Sequence, residues 1–175
     1  MYEIDEHDTV RELTDLPQSS VGAPLPVVLS DEHRLILAYH LEEVPASWDG
    51  TTARIIDPTS PGEPIAIVSF EGYAAFTFGP PNDETFHGHP LAARGLRPYA
   101  SFEVMSSSWL RRLERMNAVH PCHRREVFGQ LRHYVFAFHD STFECLARGF
   151  SLATTRGSMD EALSEMRKRL GWHAA

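Results

Sequence analysis

The sequence predicts an α+β fold: a single, mainly antiparallel β-sheet of about six or seven strands with two or three packing helices. Three observations predict it. Short segments alternate apolar and polar residues with a period of two, the turns between them are too short for helical crossovers, and two later stretches repeat apolar residues at helical spacing.

Residues 1–24 show no sustained period and end in the turn-rich LPQSSVGAPLP, which predicts a loosely ordered acidic segment ahead of one domain over 25–175. A short strand is expected at Pro26 to Ser30. Leu35, Leu37, Tyr39 and Leu41 then alternate with Ile36, Ala38, His40 and Glu42, the pattern of a half-buried strand. Further strands are expected at Thr52 to Asp57, Ile65 to Glu71 and Tyr73 to Phe78, divided by SWDG, by DPTSPGEP and by Gly72.

GPPNDETFHGHP, residues 79–90, has no period and reads as a loop, followed by a strand over Ala100 to Met105. Ser106 to Ser108 offer N-caps for a helix with Trp109, Leu113 and Met116 inward. Pro121 can begin a second helix with Val127, Phe128 and Leu131 inward.

HYVFAFH and TFECLARGF, joined at Asp140-Ser141, predict a hairpin whose facing residue numbers sum to 281. Phe138 then faces Phe143 and Phe136 faces Cys145 on the core side. His133, Val135, Ala137 and His139 share the other side with Glu144, and His139 becomes the diagonal neighbour of Glu144. Ser158 and Glu161 form a capping box for a last helix, with Met159, Ala162, Leu163, Met166 and Leu170 inward and Gly171 as its stop.

The chain has 175 residues, 42% hydrophobic, with two cysteines, ten histidines, fifteen arginines and one lysine. That composition excludes a disulfide scaffold and a disordered tail. Residues 1–50 carry eleven acids against two arginines, a net of −9, and the rest nets +1. The net charge of −8 argues against a nucleic-acid partner, although Arg111, Arg112, Arg115, Arg124 and Arg125 form a local basic patch. The first 15 residues carry no export signal, no apolar run reaches the ~20 residues of a membrane span, and two thiols fit a reducing cytoplasm. P-loop, dinucleotide-binding and HExxH motifs are absent.

Chemistry concentrates in the histidines. Asn82, Asp83, Glu84, His87 and His89 share one loop, and His-x-His with a neighbouring carboxylate is a pattern that can hold a divalent metal. His139, Asp140 and Glu144 cluster at the hairpin, where a carboxylate can orient an imidazole for general-base work. The metal candidates are His87, His89, His139 and Glu144; the catalytic candidates are His139, Glu144 and Asp83; the ligand-binding candidates are Asn82, Asp83, Glu84, His89, His139 and Asp140. His120, Cys122 and His123 lie too close together to wrap one tetrahedral ion and fit a helix junction better.

GPPNDETFHGHPLAARGL, SSWLRRLERMNAVHP and HYVFAFHDSTFECLA resemble stretches of a family of bacterial proteins of similar size with no activity attached. The resemblance spans most of residues 25–150, implies a bacterial source and one domain, and leaves function open. Three functions stay in play: a cytoplasmic domain binding a small molecule or a protein partner near the 79–90 loop; a metal-dependent or general-base enzyme; and an acidic, immunity-like module docking a basic protein.

Overall fold

A computed structural model describes residues 2–44, 48–51 and 54–172. Its strands are β1 (Thr9–Glu12), β2 (Val27–Ser30), β3 (Leu35–His40), β4 (Glu63–Glu71), β5 (Ala75–Gly79), β6 (Ala100–Met105), β7 (Arg132–Ala137), β8 (Thr142–Ala147) and β9 (Gly149–Gly157). The helices are α1 (Ser108–Asn117), α2 (Arg125–Phe128) and α3 (Met159–Arg169), with 3-10 turns at Phe86–Gly88 and Ala92–Arg94.

The α+β class and the antiparallel pairing hold. The single sheet of six or seven strands does not. Nine strands form two sheets, one ordered β1-β6-β7-β8-β5 and the other β2-β3-β4-β9. The chain passes between them three times: over the long connection from β1 to β2, and at two tight corners, where β4 gives way to β5 around Gly72 and β8 gives way to β9 at Arg148. The expected strand over 142–150 is therefore broken at Arg148, and its continuation, β9, pairs with β4 across the other sheet.

The two sheets pack face to face, and each outer face is covered in part, leaving β5 and much of β9 exposed. Leu35, Leu37, Tyr39, Val68 and Phe70 of the second sheet meet Tyr134, Phe136, Phe138, Phe143 and Cys145 of the first in the central core. The outer face of the second sheet, Ile36, Ala38, Ile65 and Ile67, packs against Met159, Ala162, Met166 and Leu170 of α3. The capping box of α3 forms as expected, and Gly171 ends it with φ of 75°. The outer face of the first sheet, with Phe102, Val104, Val135 and Ala137, lies under Tyr2, Phe86, Leu91 and Leu96, with Trp109 against the same cluster.

Several expectations are corrected. The segment 1–24 supplies β1, paired with β6, and buries Tyr2 and Asp8, because backbone hydrogen bonding at a sheet edge orders a stretch that has no amphipathic period. Residues 54–57 form no strand; residues 52 and 53 of the expected Thr52–Asp57 strand lie outside the described residues, as does His173. The second helix is only the four residues of α2, with Val127 exposed. Met116 is exposed as well, at the open end of α1.

The β7–β8 hairpin turns one residue earlier than expected. The Phe138 N–H donates to the Ser141 carbonyl at 2.8 Å, so His139 and Asp140 form the tip, and facing numbers sum to 279, as in Phe136 with Phe143. A slip of two leaves every side chain on its expected face. It changes the neighbours, however, and brings His133 to Glu144 in place of His139.

Candidate functional site

Glu144 lies in the middle of β8, between Thr77 of β5 and Val135 of β7, on the outer face of the first sheet. Its side chain is only 6% exposed, a costly place for a carboxylate unless donors converge on it. Three do. His133 Nε2 lies 2.9 Å from Oε2, the Tyr2 hydroxyl donates to Oε2 at 2.7 Å, and His89 Nε2 lies 3.4 Å from Oε1.

Further contacts orient these donors. The Leu91 N–H donates to His89 Nδ1 at 3.1 Å, which leaves the ring proton on Nε2, directed at Glu144. Ser107 Oγ lies 2.9 Å from His133 Nδ1 and also accepts the Leu110 N–H as the N-cap of α1. Tyr2 stacks on Trp109 with ring centroids 5.5 Å apart and planes within 3°, and Trp109 meets His133 edge-on.

Burial by itself would raise the Glu144 pKa. The hydrogen bonds from His133, His89 and Tyr2, with the charge His133 can carry, reverse that and lower it from 4.5 to about 2. Burial, reinforced by Glu144, pushes the Tyr2 phenol far up, so Tyr2 remains a donor. The result is a carboxylate held ionised at neutral pH. Such a group attracts cations well and takes up protons poorly, which counts against Glu144 as a general base.

Glu144 borders a cleft of about 460 Å³ between α1 and β5, lined by Tyr2, Thr77, Pro80, Trp109, Arg112, Leu113 and Met116. Oε1 has the long His89 contact alone among the described residues, which leaves acceptor capacity for another donor.

The 79–90 loop and the hairpin tip, whose histidines would have to meet to share a metal, come together at a second cluster. His139 Nδ1 lies 3.0 Å from Asp83 Oδ2 and 2.9 Å from the Tyr99 hydroxyl, which donates to the same carboxylate oxygen. The Asp83 N–H donates to the His139 carbonyl at 2.8 Å and ties loop to hairpin. The Tyr99 hydroxyl and the Glu84 N–H hold the Asp83 carboxyl below its ordinary range against a smaller opposing effect of burial. Burial and Asp83 together raise the Tyr99 phenol to about 12.

The predicted residues thus divide. His89 and Glu144 belong to one cluster, Asp83 and His139 to the other, and each histidine is taken by a different carboxylate. The convergence of His89 with His139 on a shared metal is therefore not observed, and no group of three or more His, Cys, Asp or Glu able to hold a metal ion occurs among the described residues. His87 and Glu84 are exposed. Asn82 caps its own loop by accepting the Thr85 N–H, and Asp140 reaches only 4.0 Å from His139 Nε2. His123 pairs with Glu114 at 2.8 Å, and Cys145 is buried in the central core.

Tyr2, Thr77 and Tyr99 are not among the candidates the sequence marks; Trp109 stands there only as an inward helix residue and Arg112 only in a basic patch, and Tyr2 has the single signal of an aromatic residue isolated in an acidic segment. Comparison with protein-family models, with curated proteins and with solved structures found no match.

Proposed function

We propose that this protein binds a small organic molecule in the cleft over Glu144, and that the bound group at Glu144 is a cation. The carrying observation is a buried carboxylate held by His133, Tyr2 and His89 at the border of a 460 Å³ cleft beside the Tyr2–Trp109 stack. Clefts of this size suit small ligands, and an aromatic wall beside a carboxylate favours an ammonium group.

The acidic, immunity-like alternative has less support, because many acids of residues 1–50 are already engaged. Asp5 pairs with Arg111, Glu12 with Arg97 and Glu43 with Arg156; Asp8 is buried and accepts the Ser108 N–H. The enzyme alternative has one observation in its favour: His139 is 40% exposed, with its Nδ1 held by Asp83 and its Nε2 no nearer than 4.0 Å to Asp140. No reaction class follows from that pair, and the binding reading leads.

Calorimetric titration with phenethylamine and with 3-phenylpropionate tests it. The amine is expected to bind and the acid not to bind. Glu144→Gln is expected to abolish amine binding, as is Thr77→Lys, which sets a competing cation on the exposed strand β5 without disturbing the core. Equal binding of both probes, or amine binding untouched by Thr77→Lys, would overturn the proposal.

A further inference from the structure

The cleft carries a second charge. Trp109, Arg112, Leu113 and Met116 recur every three or four residues along α1 and share its cleft-facing side. Arg111 is taken up by Asp5, 2.5 Å away, whereas Arg112 is exposed and has no carboxylate partner among the described residues. Arg115, one turn on, joins Arg112 in the adjoining groove, whose carboxylates are Glu3 and the Asp5 that pairs with Arg111.

Building on the reading of Glu144 as a cation site, we infer that the ligand is dipolar: a small ammonium carboxylate of the α-amino acid class, its ammonium group at Glu144 and its carboxylate at Arg112. A plain organic cation gains from Glu144 but is repelled by Arg112; a plain anion meets the reverse. Only a ligand carrying both charges satisfies both walls. The guanidinium suits a carboxylate because it can donate two parallel hydrogen bonds. Leu113, Met116 and the Tyr2–Trp109 stack leave apolar surface for the ligand's side chain.

The test extends the amine titration to L-phenylalanine, which is phenethylamine with a carboxylate added. Phenylalanine is expected to bind about three- to fivefold more tightly than phenethylamine, as a partly exposed ion pair provides. Arg112→Ala, at an exposed position, is expected to erase that advantage, so that phenylalanine and phenethylamine bind the variant with the same affinity. High salt is expected to shrink the advantage too. If phenylalanine binds no more tightly than phenethylamine in the unmodified protein, or keeps its advantage in Arg112→Ala, the dipolar ligand is wrong and the cation site stands. If neither molecule binds, the cation site itself fails.

Discussion

Tyr2 and Glu144 are 142 residues apart in sequence and 2.7 Å apart at their hydrogen bond, a contact that closes the N-terminal segment over the first sheet. Removing only the hydroxyl isolates its contribution, because the Tyr2 ring keeps its stack on Trp109. Tyr2→Phe is expected to cost about 1.5 to 3 kcal/mol, the usual range for a hydrogen bond to a charged group. Urea denaturation should show a lower midpoint with an unchanged slope. A midpoint equal to that of the unmodified protein would mean that water replaces the phenol without loss.

The same carboxylate gives stability a defined dependence on acid. The folded pKa of Glu144 lies at about 2, below its ordinary 4.5, so the unfolded chain binds the proton more readily. Its contribution is fully present above pH 4.5 and is lost as pH falls from there toward 2. The full shift corresponds to something on the order of 3 kcal/mol. Denaturation midpoints for the unmodified protein and Glu144→Gln should therefore converge between pH 4.5 and 2. Parallel curves across that window would show that the carboxylate is not the group responsible.

How far the sequence discloses this arrangement depends on the range of the forces involved. The α3 capping box, the alternation of β3 and both faces of the β7–β8 hairpin are local, and they are legible. The hairpin partners are not, because His139-Asp140 and Asp140-Ser141 are equally acceptable turns and the difference moves Glu144 from His139 to His133. Alternation also marks which side chains share a face without stating which sheet a strand joins. Gly72 and Arg148, which send β5 and β9 to different sheets from β4 and β8, read as ordinary turn and strand residues. The burial of Glu144 depends on Tyr2 and α1 arriving from distant parts of the chain, and no local pattern encodes that. The sequence marks Asp83 and His139 as candidates but sets His139 beside Glu144, and the contact between Asp83 and His139 joins segments 56 residues apart that no local pattern pairs.

His40 provides a second pH effect. It is 1% exposed, and neither ring nitrogen has a hydrogen-bond partner among the described residues. Burial lowers its pKa, opposed by Glu63 and assisted by Arg54. The unfolded chain then binds a proton at His40 more readily than the folded one, so stability falls as pH drops through 6.5 toward the lower folded pKa. His40→Leu is expected to reduce this loss, leaving a flatter urea midpoint between pH 7.5 and 5.5, both roughly one unit from the free imidazole value. An equally steep decline in the variant would assign the effect to another histidine.

The strand-switching corners constrain what residue 72 can be. Gly72 adopts φ of 52°, and a Cβ built there would fall 2.7 Å from Arg148 Cζ. The corners are also joined through the backbone: the Arg148 N–H donates to the Glu71 carbonyl at 2.9 Å, and the Ala74 N–H to the Leu146 carbonyl at 2.8 Å. Gly72→Ala therefore meets two penalties, a left-handed backbone disfavoured by about 1 kcal/mol or more and a collision with the guanidinium. Arg148 is exposed and its side chain can swing aside, so the steric part is relievable and the backbone part is not. Gly72→Ala is expected to lose about 1 to 2 kcal/mol, and the double variant Gly72→Ala, Arg148→Ala to retain at least the backbone share. Gly72→Asn, a side chain that tolerates this region, should be less damaging than Ala in the Arg148→Ala background. Equal losses for Asn and Ala there would mean that packing around the corner, and not its handedness, limits what residue 72 can be.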